Sequence, residues 1–198
     1  MILVASAVEA ELHFFSPRDG VATLLTGVGP VEAACAITAA LAQRAYRLLI
    51  NAGLAGAFGD GVRIGDGVVV AEDSIEIGLE NGAPLTLPKG ERVIETVRSD
   101  DALVARLRAE GFSAVRGVTV SRVTSTDRTA QRLATEVGAE IETMEGFAAL
   151  RAAERCGVPA IELRGISNRC GPRQSSGWDF AAGCAGLERI VNALLRIL

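Results

Sequence analysis

Short β-rich runs alternate with helix-like segments along the whole chain, and this alternation is what most constrains its fold. The predicted strands are Ile2–Ala7, Val21–Thr26, Tyr46–Ala52, Gly67–Ala71, Ala114–Val123 and Val158–Ser167. The predicted helices are Val31–Arg44, Asp100–Glu110, Arg128–Val137, Glu145–Cys156 and Phe180–Leu198. Such alternation is typical of helices packed on both faces of a sheet. The sequence therefore predicts a three-layer α/β/α sandwich around a central mixed, twisted sheet, formed by a single domain over residues 1–198.

The composition allows a large core and gives the chain a modest negative charge. Of the 198 residues, 49% are apolar and 22% are charged, and the formal net charge is −4. This balance excludes a disordered chain and provides no basic surface for nucleic acid or an anionic membrane. No apolar run reaches the roughly 18 residues that a membrane-spanning helix needs. The expected partner is a small molecule, with no nucleic acid and no membrane involved.

Cysteine and histidine usage gives no indication of a metal site. The chain has four cysteines without a CxxC pair, namely Cys35, Cys156, Cys170 and Cys184. His13 is the single histidine, so neither a zinc site nor another cofactor is expected. The first residues carry no basic leader and are predicted to form a strand rather than a signal peptide. We expect a cytoplasmic protein with reduced, mostly buried thiols.

Polar or glycine-rich residues follow several predicted strands, at the carboxyl ends where open α/β sheets bind ligands. They are Glu9 and Glu11, Gly27–Gly29, Gly53–Gly56, Thr124–Asp127, Met144–Glu145 and Ser167–Asn168. Residues 53–61 are predicted to form a glycine-rich loop, and the backbone of Gly53–Gly56 suits either an ordinary turn or a cradle for a base or a sugar. Gly27 and Gly29 lack the third glycine of the GxGxxG motif, so a dinucleotide site is only weakly indicated. Residues 53–56 are not followed by GK[ST], so no P-loop is indicated.

Each of these residues also has an ordinary structural interpretation. Glu11 suits the first turn of a helix, and Glu142 and Glu145 suit the surface of a helix start. Met144 lies between apolar neighbours and is core by default. Asn168 precedes a Gly-Pro pair and suits a turn. Residue types alone therefore indicate an α/β protein with a polar cleft and leave its chemistry open.

Five sequence blocks in order carry a resemblance to a known family. They are "ASAVEAEL", "LLTGVGPVEAA", "INAGLAGAFGDGVRIGDGVVV", "IETMEGFAAL" and "LRGISNRCGPR", the last followed by Trp178. The chain resembles the purine nucleoside phosphorylase and nucleoside hydrolase superfamily, especially its methylthioadenosine/S-adenosylhomocysteine nucleosidase branch. Within that superfamily it is most similar to the futalosine hydrolases of the menaquinone pathway. The resemblance spans residues 1–180 in the expected order.

The resemblance implies a role for each matching residue. Glu11 aligns with the glutamate that holds and deprotonates the attacking water, and Glu145 with the glutamate that binds the ribose hydroxyls. Met144 would pack under the ribose, and Arg164 would lie near the ribose and both glutamates. Further substrate-binding residues are Leu54, Ala55, Gly56, Thr126 and Ser167. Thr126 is a poor match, because the nucleosidases carry an aromatic residue in that base-stacking segment.

Asn168 is the departure from the nucleosidase pattern, which has an aspartate general acid there. An amide both donates and accepts hydrogen bonds, whereas an ionised aspartate only accepts. Asn168 could donate to O6 of a 6-oxopurine and accept from a protonated N7. The implied reaction is hydrolysis of the N-glycosidic bond of a 6-oxopurine nucleoside, above all futalosine, to hypoxanthine and dehypoxanthine futalosine. An asparagine is not a general acid, so the proton for the leaving base needs another source.

Several alternatives stay open at this point. A nucleosidase acting on methylthioadenosine, S-adenosylhomocysteine or aminofutalosine would use the same fold, as would a phosphate-dependent phosphorylase or an inactive nucleoside-binding protein. The relatives usually form homodimers or larger homo-oligomers, and the same is expected here. Phe58, Ile75, Ile77 and Leu79 are candidate exposed interface residues. Arg169, Arg173 and Trp178 are candidates for the non-purine end of the substrate.

Overall fold

The computed structural model describes residues 1–79, 83, 85–91, 93–174 and 177–198. The strands are β1 (Ile2–Ser6), β2 (Val21–Leu25), β3 (Leu48–Ala57), β4 (Gly67–Ile75), β5 (Thr96–Arg98), β6 (Ser113–Thr119), β7 (Ile141–Thr143) and β8 (Ala160–Arg169). The helices are α1 (Pro30–Gln43), α2 (Asp101–Ala109), α3 (Asp127–Arg132), α4 (Gly146–Arg155) and α5 (Phe180–Ile197). A π-helical turn, Leu133–Val137, follows α3, and short 3₁₀ turns span Glu9–Leu12 and Pro88–Gly90.

The strands form a mixed sheet, as predicted. Strands β2, β1, β3 and β8 run parallel to one another, whereas β4 is antiparallel to β8 and β7 is antiparallel to β3. Strand β6 pairs with both β4 and β7, so β4, β8, β3, β7 and β6 close into a ring. This closure brings the ends of β3, β7 and β8 side by side, and the candidate site is built there.

Helices cover both faces of the sheet, which confirms the α/β sandwich. Because successive side chains of a strand point to opposite faces, β1 supplies both cores. Ile2 and Val4 pack in one hydrophobic cluster with α2 and α5. Leu3 and Ala5 pack in a second cluster with α1 and α4. Burial on both faces explains why these strands are apolar throughout rather than alternating.

Several predicted boundaries are wrong. Strand β3 continues through Ala57, so the first half of the glycine-rich stretch is strand and not loop. Strand β8 continues through Arg169, beyond the predicted end at Ser167. Strands β5 and β7 were not predicted, because each has only three residues and too short a pattern to read.

The exposure of two sets of residues also differs from expectation. Phe58 is only 6% exposed and is a core residue rather than an interface candidate, and Ile75 is partly buried against the second cluster, whereas Ile77 and Leu79 are exposed as expected. Cys35 and Cys156 are exposed and Cys170 and Cys184 are partly buried, so the prediction of mostly buried thiols is wrong. No helix in the described part of the chain is long and apolar enough to span a membrane.

Candidate active site

A cavity of about 690 Å³ opens beside the carboxyl ends of β1, β3 and β8. Its walls come from the turn after β1, the second half of β3, the β7–α4 junction, the end of β8 and the start of α5. Seven of the predicted site residues line it: Glu11, Leu54, Ala55, Met144, Glu145, Ser167 and Asn168. The structure therefore brings together residues that are up to 157 positions apart in the sequence.

The remaining three predicted residues lie outside the cavity lining. Arg164 is 1% exposed and lies behind the cavity wall. Gly56 lies beneath the Asn168 amide, since a Cβ at Gly56 would come within 3.0 Å of Asn168 Nδ2. The Thr126 hydroxyl caps α3 by accepting from the Thr129 amide at 3.3 Å, so it serves the helix start.

Glu11 is held at the cavity by two neutral donors. It belongs to the 3₁₀ turn after β1, which turns its side chain toward β3. The Leu54 amide donates to Glu11 Oε1 at 2.9 Å, and the Ser6 hydroxyl donates to Oε2 at 2.8 Å. Glu9, from the same motif, is exposed and does not line the cavity. The two hydrogen bonds fix the Glu11 carboxylate while leaving lone pairs for a water molecule.

Glu145 stands at the start of α4 and is 5% exposed. The Gly29 amide donates to Glu145 Oε1 at 2.9 Å. Gly29 has φ of 97°, a conformation that favours glycine, so the "GVG" motif serves to aim an amide at this carboxylate. Burial raises the pKa of Glu145, and the charge of Arg164 and the Gly29 hydrogen bond oppose that rise.

Arg164 provides the positive charge behind both glutamates. Its Nε donates to Glu162 Oε1 at 2.9 Å, and its Nη2 donates to Asn51 Oδ1. A Cβ at Gly53 would lie 2.2 Å from Arg164 Nη1 and 3.2 Å from Glu11 Oε1. The absence of a side chain at Gly53 is therefore what lets the guanidinium lie next to the Glu11 carboxylate.

A β-bulge places Asn168 in the cavity. The pairing of β3 with β8 shifts between Ala55 and Gly56, and Ser167 becomes the extra residue. A bulge re-aims side chains, so the consecutive residues Ser167 and Asn168 both line the cavity. The Ser167 hydroxyl donates to Asn168 Oδ1 at 2.9 Å, and Asn168 Nδ2 donates to the Arg169 carbonyl at 3.0 Å.

Comparison with known proteins identifies the family of this chain. The family model described as the phosphorylase superfamily matches residues 8–196. A futalosine hydrolase of Thermus thermophilus is 37% identical over 183 residues, covering 89% of this chain and 81% of that protein. A futalosine hydrolase of Streptomyces coelicolor is 36% identical over 190 residues, covering 91% and 80% respectively.

The chain belongs to the phosphorylase superfamily, in the futalosine hydrolase family. Solved structures share the fold at lower identity. An S-adenosylhomocysteine nucleosidase of Streptococcus pyogenes superposes with a TM-score of 0.83 at 20% identity, covering 100% of this chain and 96% of that one. A futalosine hydrolase of Helicobacter pylori superposes with a TM-score of 0.80 at 15% identity, covering 100% and 97%.

The sequence reasoning missed a buried acid pair in this member of the superfamily. Asp73 is fully buried and accepts hydrogen bonds from the Thr119 and Thr143 hydroxyls at 3.0 and 3.2 Å. A Cβ at Gly146 would lie 2.2 Å from Glu162 Oε1 and 2.3 Å from Asp73 Oδ2, so the two carboxyl groups crowd one glycine. Carboxylates inside the apolar strands "VVVAED" and "AIELRG" were the available signal for this pair.

Burial disfavours charge on both members of the acid pair. Burial, followed by the charge of Glu162, raises the pKa of Asp73 well above its usual value. Burial also raises the pKa of Glu162, with Arg164 opposing. Glu162 Oε2 receives no hydrogen bond from an amide, hydroxyl or guanidinium in the described chain. A proton kept by the pair would leave one negative charge for Arg164 to balance.

Sequence reasoning did not assign Glu142 to the cavity, whereas it named Arg169, Arg173 and Trp178 as candidates for the non-purine end, and of these three Trp178 lines the cavity. Glu142 was interpreted as a surface acid, but it is 5% exposed and lines the cavity. Burial raises its pKa, against hydrogen bonds from Thr124. Trp178 and Phe180 line the outer end with ring centroids 5.3 Å apart, and the Arg173 guanidinium lies 5.0 Å from the Trp178 ring.

The charge of the cavity favours water over phosphate as the nucleophile. The described residues that line the cavity include no lysine or arginine but four glutamates, namely Glu11, Glu142, Glu145 and Glu188. The Arg164 guanidinium lies behind the wall and donates to Glu162 and Asn51. Such a surface repels a phosphate dianion and suits a neutral water molecule.

Proposed function

We propose that this protein hydrolyses the N-glycosidic bond of a 6-oxopurine nucleoside, above all futalosine, and releases hypoxanthine. The observation that carries the proposal is that Glu11, Glu145 and Asn168 line one cavity that has no lysine or arginine among its described residues. Membership of the futalosine hydrolase family supports the substrate, since two relatives of that name are 37% and 36% identical.

N-glycosidic cleavage develops positive charge on the sugar, as glycoside hydrolysis does. Glu145 accepts hydrogen bonds from the ribose 2′- and 3′-hydroxyls and adds negative charge close to that cation. Its orientation by Gly29 supports this role. Hydrogen bonds to charged groups of this kind contribute roughly 1.5–3 kcal/mol. Met144, the preceding residue, packs against the ribose.

Glu11 positions the water and takes its proton as the bond to the base breaks. Its two fixed hydrogen bonds keep the carboxylate aimed at the cavity, and Arg164 behind Gly53 stabilises its charge. General-base assistance is typically worth about 10²–10⁴ in rate. Leu54 and Ala55 form the backbone wall beside sugar and base, with Gly56 beneath Asn168. Thr126 stays a weaker candidate for base contact.

Asn168 reads the base. The leaving base takes a proton from solvent at N7. The Asn168 amide N–H donates to O6 and its carbonyl accepts from that N7–H, a pattern that a 6-amino group would oppose with a second donor. The Ser167 hydroxyl orients this amide by donating a hydrogen bond to Asn168 Oδ1. A substrate panel tests this proposal: futalosine, 6-amino-6-deoxyfutalosine, methylthioadenosine and inosine, with release of free base measured for each. We expect futalosine to give the highest kcat/KM. A preference for either 6-aminopurine nucleoside would contradict the assignment.

We further infer that the protein acts in the cytoplasm as a homodimer or larger homo-oligomer. The exposed apolar residues Ile77 and Leu79 support a surface that a second copy covers. Light scattering coupled to size-exclusion chromatography measures the mass of the protein in solution directly. A mass corresponding to at least twice 20.6 kDa is expected, and a monomer at catalytic concentrations would contradict this inference.

A further inference from the structure

Glu142 and Asn168 flank the same residue of the sheet. On β3, Gly56 pairs with Glu142 of β7 on one side and with Asn168 of β8 on the other. Directly paired residues of neighbouring strands point to the same face of a sheet. Two strand spacings separate the two residues, or about 9.5 Å between backbones. Both side chains line the cavity, so they meet a ligand from opposite sides.

The residue between them has no side chain. A Cβ at Gly56 would lie 2.7 Å from Cys170 Sγ and 3.0 Å from Asn168 Nδ2. Any larger residue there would displace the amide that reads the base. Gly56 therefore keeps the surface between the carboxylate and the amide low enough for a flat ring to contact both.

Thr124 orients the Glu142 carboxylate. The Thr124 amide donates to Glu142 Oε1 at 3.0 Å and to Oε2 at 3.2 Å, and the Thr124 hydroxyl also donates to Oε2. Within the described chain these are all the hydrogen bonds to the carboxylate, and it has no salt-bridge partner there. A backbone amide can only donate, so Glu142 is held as an acceptor with capacity left toward the cavity. Both carboxylate oxygens already accept from Thr124, and because Glu142 lines the cavity a remaining lone pair can accept from a ligand.

We propose that Glu142 is a second base-reading residue, whose carboxylate accepts a hydrogen bond from N1–H of a 6-oxopurine while Asn168 contacts O6 and N7. The inference rests on the proposed function and deepens it. In a 6-oxopurine, N1, O6 and N7 follow one another along one side of the base. This order matches one residue on each side of Gly56, with Glu142 at N1 and Asn168 at O6 and N7. A 6-aminopurine has a lone pair at N1, and the carboxylate would repel it.

Glu142→Gln tests the proposal with two nucleosides that differ only in the base, futalosine and 6-amino-6-deoxyfutalosine. The glutamine can still accept from the Thr124 amide and can donate to the Thr124 hydroxyl, so the fold is retained. We expect the ratio of kcat/KM for futalosine to that for the amino compound to fall at least about tenfold. Glu140→Gln, at a partly exposed glutamate two residues earlier that does not line the cavity, is the matched control and leaves the ratio unchanged.

A ratio within twofold of wild type in Glu142→Gln would overturn the proposal, as would an equal loss for both substrates. Calorimetry of hypoxanthine and 1-methylhypoxanthine binding gives a second readout that needs no catalysis. Wild type should bind the N1-methylated base at least about tenfold more weakly, and Glu142→Gln should bind hypoxanthine more weakly than wild type does. Equal binding of the two bases by wild type would overturn the inference. Failure of wild type to cleave futalosine would overturn the proposed function, and calorimetry would then decide the role of Glu142 alone.

Discussion

At the scale of single residues, the two central glutamates are held in different ways. Glu11 accepts hydrogen bonds only from neutral groups, the Leu54 amide and the Ser6 hydroxyl. Glu145 is more deeply buried, and the charge of Arg164 opposes the rise in its pKa. This difference is consistent with the roles we propose, in which Glu11 exchanges a proton with water and Glu145 binds the ribose hydroxyls.

Glu11→Gln should reduce kcat for futalosine by about 10²–10⁴, because a neutral amide cannot take a proton from water. The amide can still accept from Leu54, so the midpoint of thermal unfolding should change little. Glu9→Gln is the control, since Glu9 comes from the same motif but is exposed. Turnover by Glu11→Gln at the wild-type rate would remove Glu11 from the chemistry.

Asn168→Asp should shift the preference toward 6-amino-6-deoxyfutalosine, because a carboxylate accepts from a 6-amino group and repels O6. The new carboxylate also faces the Arg169 carbonyl, which the Asn168 amide now donates to, so some loss of stability is expected. Competition between the two nucleosides in one assay measures the change. An unaltered ratio would count against Asn168 as a base-reading residue.

At the scale of elements, apolar runs explain the success of sequence interpretation and glycine explains its main error. Strands β1, β4 and β8 and helices α1, α2 and α5 are evident from apolar runs and helical periodicity. The second half of β3 is not, because glycine is depleted in strands and indicates a loop. In the structure, Gly53 admits Arg164 and Gly56 admits Asn168. Those contacts join residues more than 100 positions apart, so local pattern carries no trace of them.

Close packing of α5 on β8 should make Gly165 intolerant of a side chain. A Cβ there would lie 1.9 Å from the Gly183 carbonyl oxygen and 2.8 Å from the Leu187 amide. Gly165→Ala should lower the free energy of unfolding by about 1–3 kcal/mol, measured by chemical denaturation. Gly61→Ala, where a Cβ would meet nothing within 4 Å, is the control. Equal stability of the two variants would contradict close packing of α5 on β8 at Gly165.

At the scale of the whole molecule, burial of carboxyl groups makes stability depend on pH. Burial raises the pKa of Asp73, Glu142, Glu145 and Glu162. A raised pKa means that the folded state binds protons that the unfolded state has already released. Their contribution therefore favours folding at low pH and is lost as pH rises from about 4 through the raised pKa values.

Asp73→Asn should reduce the loss of folding stability that accompanies a rise in pH. The amide can accept from Thr119 or Thr143 and donate to Glu162, as a protonated aspartate does. Between pH 5 and pH 8 the free energy of unfolding of wild type should fall more than that of Asp73→Asn. Asp19→Asn, at an exposed aspartate, should follow wild type. Identical losses in wild type and Asp73→Asn would contradict a proton held by the acid pair.

The most direct test of water as the nucleophile is the fate of the sugar when wild-type protein acts on futalosine. In phosphate-free buffer we predict release of hypoxanthine together with a sugar that carries a free hydroxyl at C1. Added phosphate should change neither the rate nor the product. Turnover that requires phosphate and yields the sugar 1-phosphate would contradict hydrolysis by a Glu11-activated water.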